Sequence, residues 1–386
     1  LAVNIRKSVL SASLALTLCL SGSSVFADAP KETEQSLFIN DTIVLTDKKK
    51  NDIEKLESFG LPKDIIQKLG NDVDVVAREI SVNNLNMTQA TNLSNGLIQS
   101  NLRAKEVAQG KYDPKEMYFT KAVNGEVTLP NGHTIAVPSN ARNKISSKNT
   151  EAALGSCKVW TGKHCVDTGP YFNIDANTGF SKVSAMVTLP SVYSASYKGV
   201  VPYVLAGIFY KRGEGDYPDG VDLGAFWEDG RWRLCINGGK DKEDQTKDLW
   251  VSGQVDLPSQ VYLVYKIPFD GQVQIDAFDP ITYNPISGVS YWLPGRGFNQ
   301  NGTNIEMSSG FSLAFKNVKN LTDGSYLRGG RFSNAYLYNN NFSTLWTSNY
   351  TAHRDKKRTD DEARTVQYNP NSYDYDYSVD INLNLP

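Results

Sequence analysis

From about residue 155 the chain reads as short runs of alternating apolar and polar residues, separated by Gly, Pro and Asn. They include "VSAMVTL", "YVLAGIFY", "GVDLGAFW", "RWRLCI", "VYLVYKI", "VQIDAF", "FSLAFKNV", "NAYLYN", "TVQYN" and "YSVDINLNL". A period of two sends successive side chains to opposite faces of a strand. Runs at this spacing predict a mainly β fold, a two-sheet antiparallel β-sandwich or jelly roll over 151–386.

Residues 28–110 follow a helical period instead, as a small α-helical N-terminal segment. In "NDIEKLESFG", Ile53, Leu56 and Phe59 lie about a turn apart and Gly60 is a stop. In "LPKDIIQKLG", Pro62 suits a first turn and Gly70 an end. Asn71 is the expected cap of the next helix. These short helices are marginal alone and must pack on something. Residues 111–150 predict a hairpin and a linker. Val127 and Leu129 oppose Ile135 and Val137 around Asn131-Gly132, and a polar stretch that could hold a processing site follows. The helical segment is then an accessory layer or a propeptide.

The stretch "VDLGAFWEDGRWRLCING" sets two tryptophans about Asp229-Gly230. A two-residue turn there opposes Trp227 with Trp232, Ala225 with Leu234 and Leu223 with Ile236 on one face. On the other face it opposes Glu228 with Arg231, Phe226 with Arg233, Gly224 with Cys235 and Asp222 with Asn237. The tryptophans share their face with an aliphatic ladder, so core packing is expected ahead of sugar stacking. The reverse face is the candidate ligand face: Asp222 and Asn237 can bond hydroxyls, Phe226 can stack on a sugar ring, and Arg233 lies beside it. The bland alternative is a solvated sheet surface. A second hairpin, "VYLVYKIPFDGQVQIDAF", predicts a three-residue loop at 270–272 opposing Ile267 with Ile275, with Pro268 marking an edge or bulge.

Ahead of all this, Arg6 and Lys7 precede the apolar "VLSASLALTLCL", and Val25-Phe26-Ala27 fits a signal-peptidase site. Residues 1–27 therefore read as a signal peptide cut after Ala27, and the protein as secreted. The run is short for a bilayer span, and no later stretch reads as one. Formal charge is −2, or −4 without Arg6 and Lys7, which gives no electrostatic case for nucleic acid. "CKVWTGKHC" suggests a Cys157–Cys165 disulfide that leaves Cys235 unpaired. Three dispersed histidines (133, 164, 353) and no HExxH or paired CxxC give no metal or cofactor expectation.

Asp222-x-Gly224, a short gap and Gly230-x-Trp232 resemble a pattern in uncharacterised secreted Gram-positive bacterial proteins with a concanavalin A-like jelly roll. "FSNAYLYNNNFSTLWTS" and "YSVDINLNL" fit that layout, over about 155–386. The layout is also similar to glutamic peptidases, through "VSAMVTLPSV", and to jelly-roll glucanases. The first resemblance implies a Gln and a Glu on the sheet. Asp222 stands where the Gln is sought, and "RWRLCING" has no Glu. The second implies a Glu-x-Asp-x-Glu strand, which the chain lacks. "VDLG" and "IEMS" each offer one carboxylate, so a pair must come from distant strands.

"HRDKKRTDDEAR" at 353–364 reads as a solvated loop. Among Trp250, Trp292 and Trp346, Trp292 in the Gly-rich "SYWLPGRGFNQNG" is the best aromatic for ligand contact, with core packing the alternative. The leading expectation is a non-enzymatic sandwich that binds glycan or cell wall, with no catalytic residue assigned. The alternatives are a hydrolase carrying an N-terminal propeptide, or a structural, matrix or bacteriocin-like component.

Overall fold

The computed structural model describes residues 46–110, 117–121, 126–128, 134–136, 169–194, 200–211, 219–228, 230–240, 247–253, 255–315, 321–355, 360–369 and 373–384. The expected signal peptide, the linker and Cys157 and Cys165 lie outside these residues.

Two antiparallel sheets form a sandwich, as the alternation predicts. The first joins β1 (Met117–Lys121), β4 (Tyr171–Ala176), β7 (Val200–Tyr210), β8 (Asp219–Glu228), β9 (Arg231–Lys240), β10 (Lys247–Ser252), β14 (Ile305–Phe315) and β17 (Thr351–Asp355). Their order is β1-β10-β9-β8-β7-β14-β4-β17. The second joins β5 (Lys182–Thr188), β6 (Ser191–Tyr193), β11 (Gln260–Lys266), β12 (Gln272–Phe278), β13 (Pro285–Trp292), β15 (Tyr326–Tyr338), β16 (Ser343–Leu345), β18 (Val366–Tyr368) and β19 (Asp376–Asn382). Its path is β13-β12-β11-β5-β15-β19-β18, with β6 and β16 on β15. A small hairpin of β2 (Glu126–Thr128) and β3 (Thr134–Ala136) pairs Val127 with Ile135. β1, which the periodicity did not reveal, is an edge strand of the first sheet.

The core lies between the sheets. Val204, Ala206 and Ile208 of β7 face Val183, Ala185 and Val187 of β5 in one continuous cluster. Trp346 is fully buried in it. The β8–β9 ribbon has the register its Asp-Gly turn dictates, from Asp222↔Asn237 to Glu228↔Arg231. Trp232 is 7% exposed, and Trp227 packs against the same core. The tryptophan question resolves in favour of packing.

The β11–β12 register differs from the expectation. Tyr265, not Ile267, opposes Ile275. The ladder with β12 ends at Lys266, while the Ile267 N–H donates to Ser181 O at 2.9 Å on the β5 side, and Pro268 has no N–H to give. The slip is an even number of residues, so the inward set is preserved.

The N-terminal helices are α1 (Asp47–Phe59), α2 (Lys63–Leu69), α3 (Val73–Asn83) and α4 (Met87–Ala108). Gly60 ends α1 in the left-handed conformation, φ 97°. Asn71 does not cap α3; it lies in a 3₁₀ turn, and its side chain donates to Gln300 Oε1 at 2.7 Å. The fourth helix runs 22 residues, and a capping box of Asn86 and Gln89 starts it. The helices cover the outer face of the second sheet, where Leu56, Leu69, Val76 and Leu93 join Tyr262, Val264 and Phe278 in a second core. Gly96 lets α4 approach closely, since a Cβ there would meet Phe278 Cε1 at 2.5 Å.

The described part of "HRDKKRTDDEAR" is strand and helix. Its first residues belong to β17, an edge strand paired with β4, and residues 360–365 form α5 (Asp360–Thr365). No helix among the described residues is long and apolar enough to cross a membrane.

Candidate functional site

Register alone gathers a site on the outer face of the first sheet. β14 sets Ser308 opposite Asp175 of β4 and Glu306 opposite Phe209 of β7. β17 sets His353 opposite Asp175. Side chains two apart on one strand share a face, so Glu306, Asp175, His353 and Phe209 all project from the same side. The inward set alternates with them, at Ile174, Ile208, Ile305 and Met307.

The ligand atoms of Asp175, Glu306 and His353 lie within 4.8 Å of one another. Asp175 Oδ2 accepts from His353 Nε2 at 2.8 Å and from Asn173 Nδ2 at 2.8 Å. Glu306 is bonded by the Lys211 ammonium. Both carboxyls are 5% exposed, while the His353 and Lys211 side chains are 55% and 40% exposed. The acids are thus buried, and their cationic partners reach the surface.

Burial pushes the Glu306 carboxyl above its ordinary range; Lys211 opposes this and neighbouring Asp175 adds to it. The hydrogen bond to Asp175 raises His353 above the usual imidazole value. The two carboxyls thus differ in their partners: Glu306 has an ammonium, Asp175 an imidazole and an amide. Two acids in different environments are the arrangement that divides acid and base roles. The same donor set suits a divalent cation, but the Lys211 ammonium already occupies the flank of Glu306, which disfavours that use.

The expected ligand face is otherwise. Asp222 and Asn237 do face each other, but they are 6% and 1% exposed, and Phe226 is fully buried. Phe226 has no open ring face for a sugar because this part of the sheet is covered. Arg233 points its Nε at Asp256, 3.0 Å away. Trp292 lies on the other sheet, at the end of edge strand β13, beside Gly271. The structure therefore brings Asp222, Phe226, Arg233 and Asn237 onto one face and leaves Trp292 apart. Among the described residues Cys235 is a buried free thiol, its pKa driven well up by burial and by Asp222, so it is unreactive.

Glu306 was visible in "IEMS", but its partner was not. Asp175 and His353 come from distant stretches that only the completed sheet joins. The one local signal was a polar residue on an otherwise buried strand, as in "YFNIDA".

The chain matches no protein-family profile and no curated protein. It is similar in structure to SCP-B, an eqolisin-family peptidase in complex with the tripeptide Ala-Ile-His, at 9% identity over 55% of this chain and 97% of that one (TM-score 0.36). It is also similar to the Crh5 transglycosylase, at 11% identity over 41% of this chain and 75% of that one (TM-score 0.22). Alginate lyase A1-II′ follows, at 12% identity over 54% and 99% (TM-score 0.17). Likeness at this level says nothing of chemistry, which rests on the side chains described above.

Proposed function

We propose that the protein is an exported glycan hydrolase whose acid pair is Asp175 and Glu306. The observation that carries this reading is the spacing of the two carboxyls, within 4.8 Å, with burial raising Glu306. Retaining glycosidases place their carboxyls about 5–5.5 Å apart. In this scheme the Glu306 carboxyl donates its proton to the glycosidic oxygen as the Asp175 carboxylate bonds the anomeric carbon. The C–O bond to the leaving sugar breaks. Water then attacks that carbon, gives a proton back to Glu306 and frees Asp175. His353 and Asn173 hold the nucleophile's orientation. Residues 46–110 act as an accessory layer of the sandwich, and export uses residues 1–27.

The test is reducing-sugar release from a panel of soluble polysaccharides. Asp175→Asn and Glu306→Gln should each cut release by about 100-fold or more, with the alkaline limb of kcat/KM set by loss of the Glu306 proton. Full activity in Glu306→Gln would end the reading, as would casein cleavage without glycan cleavage. Glycan retention with no release by the wild type would restore the non-catalytic binder.

A further inference from the structure

We infer that Phe209 is a stacking platform for a pyranose ring beside the acid pair, an inference that rests on the glycan reading above. Phe209, next to last in β7, lies directly opposite both Glu306 and Gly220. It is half-buried and lies on the outer face, while its neighbour Ile208 faces the core. The floor beneath its ring is made of glycine. A Cβ added at Gly207, two residues back on the same face, would stand 2.4 Å from Phe209 Cε2 and 2.8 Å from Cζ. A Cβ at Gly220, across the strand pair, would stand 2.4 Å from Cδ1 and 2.6 Å from Cε1. Contacts at both edges of the ring mean that it lies along the sheet, spanning two α-carbons. Any side chain at either position would lift it.

A ring laid this way buries one π-face against backbone and turns the other outward. That face is electron-rich, and the axial C–H bonds of a pyranose carry the complementary partial charge. Because Glu306 is the cross-strand neighbour, a sugar resting on Phe209 would present a glycosidic oxygen toward the proton donor. A phenylalanine serving only to cover glycine backbone would have no need to lie next to the acid pair, and an aliphatic residue would cover the floor equally well.

That difference supplies the test. Binding of hexasaccharides of β-1,4-glucose, β-1,4-N-acetylglucosamine and β-1,4-mannuronate is measured by calorimetry on the full chain carrying Glu306→Gln, so that turnover does not intervene. Phe209→Leu in that background should keep the thermal midpoint and weaken the tightest-binding sugar at least 10-fold. Phe209→Trp should retain binding within about 3-fold and change its fluorescence as sugar is added. Gly220→Ala, which keeps the ring but tilts it, should weaken binding as Phe209→Leu does. Equal affinity in Phe209→Leu and the parent overturns the platform, as does the absence of binding by any of the three sugars. Binding through Phe209 with no cleavage by the wild type would remove the hydrolase reading and leave the platform standing. Cleavage that Phe209→Leu leaves untouched would do the reverse.

Discussion

Each sheet buries charge on its outer face, and the two faces do so in opposite ways. On the second sheet, Lys182 Nζ meets Asp72 Oδ1 at 2.8 Å, Asp74 Oδ1 at 2.7 Å and the Asn71 carbonyl at 2.6 Å. Lys266 pairs with the same Asp72, and Asn101 bonds both of them. Further along, Glu79 is fully buried, paired with Arg78 and accepting from Tyr262 at 2.8 Å and Tyr283 at 3.0 Å. The lysine and tyrosine contacts tie the helical layer to the sheet and to the turn that follows β12. On the first sheet, Asp175 and Glu306 crowd each other, and their cationic partners stay half in water. Opposite charges locked together report architecture. Like groups held close, with burial raising one of them, report chemistry.

The largest effect expected from this contrast falls on the lock. Asp72→Ala strands the buried Lys266 ammonium and leaves Lys182 only Asp74, and breaking a buried pair from one side costs about 3–5 kcal/mol. Urea unfolding should show that loss, with the helical layer exchanging amide protons first. A loss no greater than that of a surface substitution would mean the helices are loosely held, as a removable propeptide would be.

A smaller effect, of opposite sign on the two faces, comes from pH. Burial pushes the Asp72 carboxyl up, but Lys182 and Lys266 overcome this and hold it well below the carboxylate range. Its stabilisation is therefore in place above the unfolded carboxylate value, about 3.9, and is lost as pH falls below it. Glu306 is raised, so its contribution is complete below its unfolded value and disappears as pH rises through the folded one. Glu306→Gln should accordingly be more stable than the wild type at neutral pH, with the advantage vanishing in acid. The stability cost of Asp72→Asn should show the opposite trend. Thermal midpoints from pH 3 to 8 decide the matter, and parallel curves for both variants would erase the distinction. An acid that lowers stability where it sits is what a stability–function trade-off predicts for a working residue.

How much of this was legible in the sequence depends on how local each cause is. The β8–β9 pairing follows from Asp229-Gly230 and a period of two, so all seven residue pairs were readable. The helical layer was readable as helix, but not its partner. Lys266, Gln274 and Asp276 look like the wet side of strands, yet they are 0–2% exposed because α4 and the turn before α3 supply matching groups. The acid pair was the least legible. Asp175, Glu306 and His353 meet through β7-β14-β4-β17, an order that no short-range pattern encodes. His353 was obscured further by the charged run after it, which masks a short edge strand.

The smallest effect concerns the face the sequence favoured. Arg231 and Arg233 both reach Asp256, at 3.0 Å each, from the surface of the β8–β9 ribbon. Exposed pairs of this kind gain little over water, because solvent screens them and ordering long side chains opposes them. Arg233→Ala should leave the unfolding midpoint and any sugar release where they are. A marked fall in glycan binding with the fold intact would move the ligand toward β9, away from Glu306. The covered strip of Asp222, Phe226 and Asn237 would then have to open to admit it, and hydrogen exchange on β8 and β9 would report that opening as faster than exchange on β14 and β4.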